Sequence, residues 1–130
     1  MSTNLKENNI GIKKVLIVDD EKDIRDILKN GLEQYGIYDV RATYSGFVAG
    51  ILLRKSRPHV IVLDIKLGDI DGRKMCEIIR QDSELSEIKL IGISGKISEQ
   101  EEKSILKEGF DAYLGKPFDI DDLHKTIMKL

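Results

Sequence analysis

Val15-Leu16-Ile17-Val18-Asp19-Asp20-Glu21 is a run of four aliphatic residues that stops on three acids. Short, wholly apolar runs are how parallel strands buried on both faces read. The pattern recurs downstream: Val60-Ile61-Val62-Leu63 ends at Asp64, Leu90-Ile91-Gly92-Ile93 at Ser94, and Tyr113-Leu114-Gly115 at Lys116. Asp20 to Asp64 is 44 residues, Asp64 to Ser94 is 30, and Ser94 to Lys116 is 22. Each interval can hold the helix-containing, right-handed crossover that parallel neighbours require. In an open α/β sheet, ligands sit beyond the carboxyl ends of the strands. Asp19, Asp20, Asp64, Ser94 and Lys116 are therefore expected to meet in one crevice.

Helical patterns fill the intervals. Ile24, Ile27, Leu28 and Leu32 recur at the spacing of one buried stripe, and that helix is expected to end near Tyr35-Gly36. Asp39 to Thr43 reads as a short strand. Ser45 should cap a helix that Arg57-Pro58 stops near Ser56. A Gly- and Asp-rich loop, residues 66–72, precedes a helix to about Ser83 with Met75, Ile78 and Ile79 inward. Ser98 to Glu101 has capping-box spacing and opens a helix that closes at Gly109. Asp119 caps the last helix, with Leu123, Ile127 and Leu130 at helical spacing. Alternating βα units of this kind specify a doubly wound parallel sheet with helices on both faces.

The composition suits one ordinary globular domain: 130 residues, 41% apolar, 34% charged, net charge −2. That balance gives no electrostatic reason to bind nucleic acid or an anionic membrane. No apolar stretch approaches the roughly 18 residues that span a bilayer. Residues 1–12 are polar, read as a flexible lead, and carry no secretory pattern. Cys76 is the only cysteine, so it reads as a packing residue in a reducing, cytoplasmic compartment. The folded domain is expected over residues 13–130. The chain suits a stand-alone small protein and a domain cut from a longer one equally well.

Taken singly, an Asp after a strand is usually a cap or a turn, and a Lys before Pro is usually solvated. The set in register implies more. Asp19, Asp20 and Asp64 would crowd three carboxylates, which resist joint ionisation without a cation. Oxygen-only ligands without His or Cys point to Mg²⁺. With Lys116 as a second cation, one carboxylate is suited to take a phosphoryl group, a reaction governed by positioning and charge neutralisation. Aspartyl phosphates are an established covalent class, and Ser94 could donate its hydroxyl to a phosphoryl oxygen.

Val15 to Glu21, Val62-Leu63-Asp64 with Asp71-Gly72, Ile93-Ser94-Gly95 and Lys116-Pro117-Phe118 together resemble the receiver domain of two-component response regulators. The resemblance covers residues 13–130. It implies a flavodoxin-like fold with strand order 2-1-3-4-5 and five flanking helices. It implies Asp64 as phosphoacceptor, with Asp19, Asp20, Asp64 and the Lys66 backbone carbonyl around Mg²⁺. Lys116 would pair with Asp64 and precede Pro117 through a cis peptide. Ser94 and Tyr113 would be the switch pair, and the face of the fourth helix, fifth strand and fifth helix would change. The implied partners are a histidine kinase or a histidine phosphotransfer protein, with homodimerisation on phosphorylation a further expectation. The domain itself would bind neither nucleic acid nor membrane, and its only catalysis would be of its own phosphorylation and dephosphorylation.

Two rivals are a pseudo-receiver that only binds a partner and an aspartyl-phosphate phosphatase. The first is weakened because every acceptor-site residue is present. The second usually has an Asp two residues after its nucleophile, and here that residue is Lys66. A flavodoxin-type carrier would need a hydroxyl-rich phosphate loop that the first strand lacks. Gly68 stands where the family often has proline, which suggests a more mobile loop. Lys66 and Lys96 are expected to flank the phosphoryl group and slow its hydrolysis. In the second helix Ala49, Leu52 and Leu53 share one side, leaving Phe47, Val48 and Ile51 as an exposed candidate interface.

Overall fold

The computed structural model describes residues 12–130, so the expected lead lies outside the described residues except for Ile12. The elements alternate: β1 (Lys13–Val18), α1 (Lys22–Glu33), β2 (Tyr38–Thr43), α2 (Gly46–Ser56) and β3 (Val60–Asp64). They continue as α3 (Gly72–Gln81), β4 (Lys89–Ser94), α4 (Glu99–Lys107), β5 (Ala112–Gly115) and α5 (Ile120–Met128). All strand pairs are parallel and the order is β2-β1-β3-β4-β5, the flavodoxin-like arrangement that the resemblance implies.

Side chains alternate across a strand, and here each alternate meets a different helical layer. Leu16 and Val18 pack with Leu53, Met75 and Ile105 of α2, α3 and α4. Val15 and Ile17 pack with Leu28, Leu32, Leu123 and Ile127 of α1 and α5. Every residue of β3 is buried, as its unbroken apolar run requires. Each such side chain taken from water contributes roughly 1.5–3 kcal/mol.

The helix starts follow their capping residues. Ser45 accepts from the Val48 amide, and Ser98 and Asp119 form reciprocal capping boxes with Glu101 and Asp122. Helix α3 stops at Gln81, short of Ser83, because Asp82 is already extended and accepts from the Glu84 amide at 2.9 Å. Two residues read as inward point out: Ile27 is 61% exposed and Ile78 49%. Each directly precedes a buried residue, Leu28 or Ile79. One residue is about 100° of helix rotation, which carries both past the edge of the stripe that the sheet covers. Cys76 is fully buried in the position that Ile78 was expected to share.

Arg80 sits one step beyond Ile79 and stitches the far end of the sheet. Its guanidinium donates to the carbonyls of Ser86 (2.8 Å), Ile88 (2.7 Å) and Gly109 (2.8 Å) and to Asp111 (2.8 Å). On α2, Ala49 and Leu53 are buried, while Phe47, Val48 and Ile51 remain exposed.

The register levels the carboxyl ends of the strands. Val18 is opposite both Thr43 and Leu63, Asp64 is opposite Ile93, and Ser94 is opposite Gly115. The residues at or just after those ends share one edge.

Candidate functional site

Asp19 is fully buried and Asp64 is 4% exposed, unusual values for carboxylates. Asp19 Oδ1 accepts from the Glu21 amide at 2.8 Å. Asp19 Oδ2 is buried and receives no hydrogen bond of normal geometry; the Lys116 ammonium lies 2.9 Å from it. Asp64 Oδ1 accepts from the Lys66 amide at 2.9 Å, and Oδ2 lies 3.4 Å from Lys116 Nζ. The same ammonium is 3.3 Å from Glu21 Oε1. One cation therefore bridges three acids across the crevice.

Electrostatics follow from this packing. Burial pushes the Asp64 pKa above the usual carboxylate value and the nearby Asp19 adds to it; the Lys66 amide and Lys116 only partly offset them. Burial works against the Lys116 ammonium, but Asp19, Asp64 and Glu21 outweigh it and hold its pKa above the ordinary lysine value.

Asp19, Asp20 and Glu21 each offer a carboxylate oxygen, all within 4.8 Å of one another. An all-oxygen set containing a buried, hydrogen-bond-free oxygen fits a hard divalent cation such as Mg²⁺. Glu21 was absent from the sequence reading of this cluster, though its place in the Asp19-Asp20-Glu21 run was a visible signal. Asp64 lies outside that group of three, its carboxylate engaged by the Lys66 amide and Lys116.

The other expected residues divide in two. Ser94 and Tyr113 meet at the Gly95 carbonyl: their hydroxyl oxygens are 3.0 Å apart and lie 2.9 and 2.8 Å from it, so their two protons serve two of these three contacts. The Ser94 hydroxyl is thus held by its own loop. The Lys116–Pro117 peptide is cis. Lys66 and Lys96 are exposed.

A family model described as the response regulator receiver domain matches residues 15–128. The chain belongs to that family. The receiver domain is similar to the transcriptional regulatory protein YxdJ of Bacillus subtilis (strain 168), 38% identical over 110 residues. That match covers 85% of this chain and 46% of YxdJ, so the receiver chain spans about half of that relative's length. The Francisella response regulator 1452 receiver domain superposes with a TM-score of 0.83 at 32% identity, covering 90% of this chain and 94% of that one. The chemotaxis protein CheY4 of Vibrio cholerae gives 0.84 at 26%, covering 91% and 98%. The receiver domain is a part of two-component signalling.

Gly72 was read only as a motif residue, yet the carboxyl end of β3 packs directly against it. A Cβ there would lie 2.7 Å from the Asp64 carbonyl oxygen and 2.7 Å from Ile65 Cα. Both are backbone atoms, so no rotamer change relieves the contact. Gly72→Ala is expected to destabilise the fold by about 2–3 kcal/mol, at the upper end of overpacking costs. Urea unfolding of the two proteins measures this. A loss under about 0.5 kcal/mol, the level of a surface substitution, would show that the turn has room to spare.

Proposed function

We propose that this receiver domain is a phosphorylation-operated switch in which Asp64 takes a phosphoryl group from a phosphohistidine of a histidine kinase or phosphotransfer protein. The observation that carries the reading is the buried Asp64 carboxylate, oriented by the Lys66 amide and faced by Lys116 at 3.4 Å. One Asp64 oxygen attacks phosphorus, the phosphorus–nitrogen bond breaks, and the imidazole, already protonated on its other ring nitrogen, leaves as the neutral ring. Lys116 neutralises charge on the transferring group, and the buried setting strengthens that interaction relative to water.

Mg²⁺ would be held by Asp19, Asp20 and the Lys66 carbonyl with Asp64 alongside, and when bound it supplies positive charge to the phosphoryl oxygens. Asp19 carries the buried, hydrogen-bond-free oxygen and Asp20 the exposed carboxylate beside it.

Ser94 then exchanges its Gly95 partner for a phosphoryl oxygen. A charge-assisted hydrogen bond contributes roughly 1.5–3 kcal/mol, enough to shift a two-state equilibrium on the order of 10- to 150-fold. Tyr113 loses its Ser94 contact in the same step, which carries the change to the α4–β5–α5 face. Cytoplasmic placement follows the single buried cysteine; among the described residues no helix is long and apolar enough to cross a membrane.

The test is intact mass after incubation with Mg²⁺ and a small phosphodonor. The protein gains one phosphoryl group, chelation prevents the gain, and peptide mapping places it on Asp64. A protein that stays unmodified, or that is modified at another residue, defeats the reading.

Lifetime is the next expectation. Hydrolysis needs a water in line with the Asp64–phosphorus bond, entering between the loops that hold Lys66 and Lys96. An ammonium there pairs with phosphoryl oxygens and occupies the approach, while the loose transition state gains little extra charge on those oxygens. Lys66→Asn and Lys96→Glu are each expected to shorten the phosphoprotein lifetime by about two- to fivefold, the scale of an exposed ion pair. Decay of purified phosphoprotein in Mg²⁺ measures it, and unchanged lifetimes in both variants would remove these lysines from the picture.

A further inference from the structure

We propose that Asp69 is a positioning residue for phosphoryl transfer, latching the β3–α3 loop onto the N-terminus of α2 and so holding Lys66 in place beside Asp64. The inference rests on the reading of Asp64 given above. Asp69 Oδ2 accepts from the Ser45 hydroxyl at 2.9 Å and the Phe47 amide at 3.1 Å, and Oδ1 accepts from the Gly46 amide at 3.1 Å. The first amides of a helix have no partner within it, and an anion there also meets the positive end of the helix dipole. Ser45 is used twice, donating to Asp69 while accepting from the Val48 amide at 3.1 Å.

Leu67 and Ile70 pack against the core, but among the described residues the middle of the loop has no polar anchor comparable to Asp69. Among the described residues the amides of Leu67, Gly68, Asp69 and Ile70 make no backbone hydrogen bond of normal geometry. Its two ends are joined by the Lys66–Asp71 bridge, with the Gly72 amide donating to the Ile65 carbonyl at 2.8 Å. Gly68 adds backbone freedom, so the segment between those ends depends on side chains for its position. Gly46 makes the docking possible: a Cβ there would fall 2.0 Å from Ile70 Cγ2 and 3.3 Å from Leu67 Cδ1. The latch spans more than 20 residues of sequence and fixes a loop whose first amide orients the Asp64 carboxylate.

Two measurements on the full chain test the proposal, both at a temperature where circular dichroism shows the variants folded. Amide hydrogen exchange reads the latch without phosphoryl transfer: Asp69→Ala should accelerate exchange across residues 65–72. Phosphorylation by acetyl phosphate in Mg²⁺ reads its consequence. Misplacement by an ångström or less can slow a positioned reaction severely, and a fall of about tenfold in the maximal rate is expected, with the half-saturating donor concentration little changed. Asp69→Asn keeps one acceptor oxygen and should recover part of that loss. Unchanged exchange in Asp69→Ala overturns the latch. Faster exchange with a maximal rate within twofold of the parent overturns the positioning role while the function of Asp64 stands. A parent protein that takes no phosphoryl group overturns the function, and the positioning role with it.

Discussion

Asp64→Asn is expected to abolish phosphoryl uptake and, in metal-free buffer at neutral pH, to make the protein more stable. The two outcomes share one cause. Burial and the nearby Asp19 raise the Asp64 pKa, so the folded state binds its proton more tightly than the unfolded chain does. Stability linked to this group is therefore greatest at acid pH and falls as pH rises from the ordinary carboxylate range through the raised folded value. At neutral pH the ionised Asp64 works against the fold. Asparagine keeps the acceptor for the Lys66 amide and removes the charge, leaving Lys116 to Asp19 and Glu21. A gain in stability is expected, since a carboxyl whose folded pKa is raised opposes the fold once it is ionised. The advantage should widen as pH rises from about 4 toward neutrality, the upper side of the ordinary carboxylate range. It should shrink in Mg²⁺, because a cation that binds only the folded state stabilises the parent. Thermal melts across that range with and without Mg²⁺ give the answer. A variant less stable than the parent at neutral pH without metal would contradict this account of the site.

Lys116→Met is expected to act in the opposite sense, lowering metal-free stability by about 2–3 kcal/mol at pH 7. Removing one member of a buried ion pair typically costs about 3–5 kcal/mol because the other charge is left uncompensated. Lys116 is 17% exposed, which places the expectation at or below the low end of that range. The stranded groups are Asp19 Oδ2, with no hydrogen bond of its own, and the buried Asp64. Without the ammonium, the Asp64 pKa should rise further, so the variant regains stability as pH falls. Mg²⁺ should rescue it more than it helps the parent. With the ammonium gone from its place 2.9 Å from Asp19 Oδ2, affinity for a divalent cation should tighten on the order of tenfold, a modest fraction of the bare Coulomb term. Denaturation at pH 5 and 7 together with Mg²⁺ titration measures both effects. Unchanged stability with unchanged Mg²⁺ affinity would mean that the ammonium is not the group balancing these acids.

The strands, the caps and the candidate site were largely legible in the linear sequence. Short, wholly apolar runs separated by helical patterns read as buried parallel strands, and their ends deliver Asp19, Asp64, Ser94 and Lys116 to one edge. Ser45, Ser98 and Asp119 act on amides three residues away, so their capping is local and readable. The resemblance to receiver domains added the strand order and the residue roles, which spacing alone left open.

Partner choice belonged to the tertiary structure. Sequence treated Asp19 and Asp20 as a pair, whereas packing buries the first completely and leaves the second exposed. It also brings Glu21 to the bridging ammonium. A stripe of apolar residues gives the direction of a buried face but not its width, because the width is set by the neighbours that cover it; hence the exposure of Ile27 and Ile78. Arg80 reaches three backbone carbonyls that carry no sequence signature. Asp69 finds α2, and Ser94 finds Tyr113, across intervals of about twenty residues. Such contacts depend on where whole elements pack, and a side chain's covalent neighbours hold no record of that.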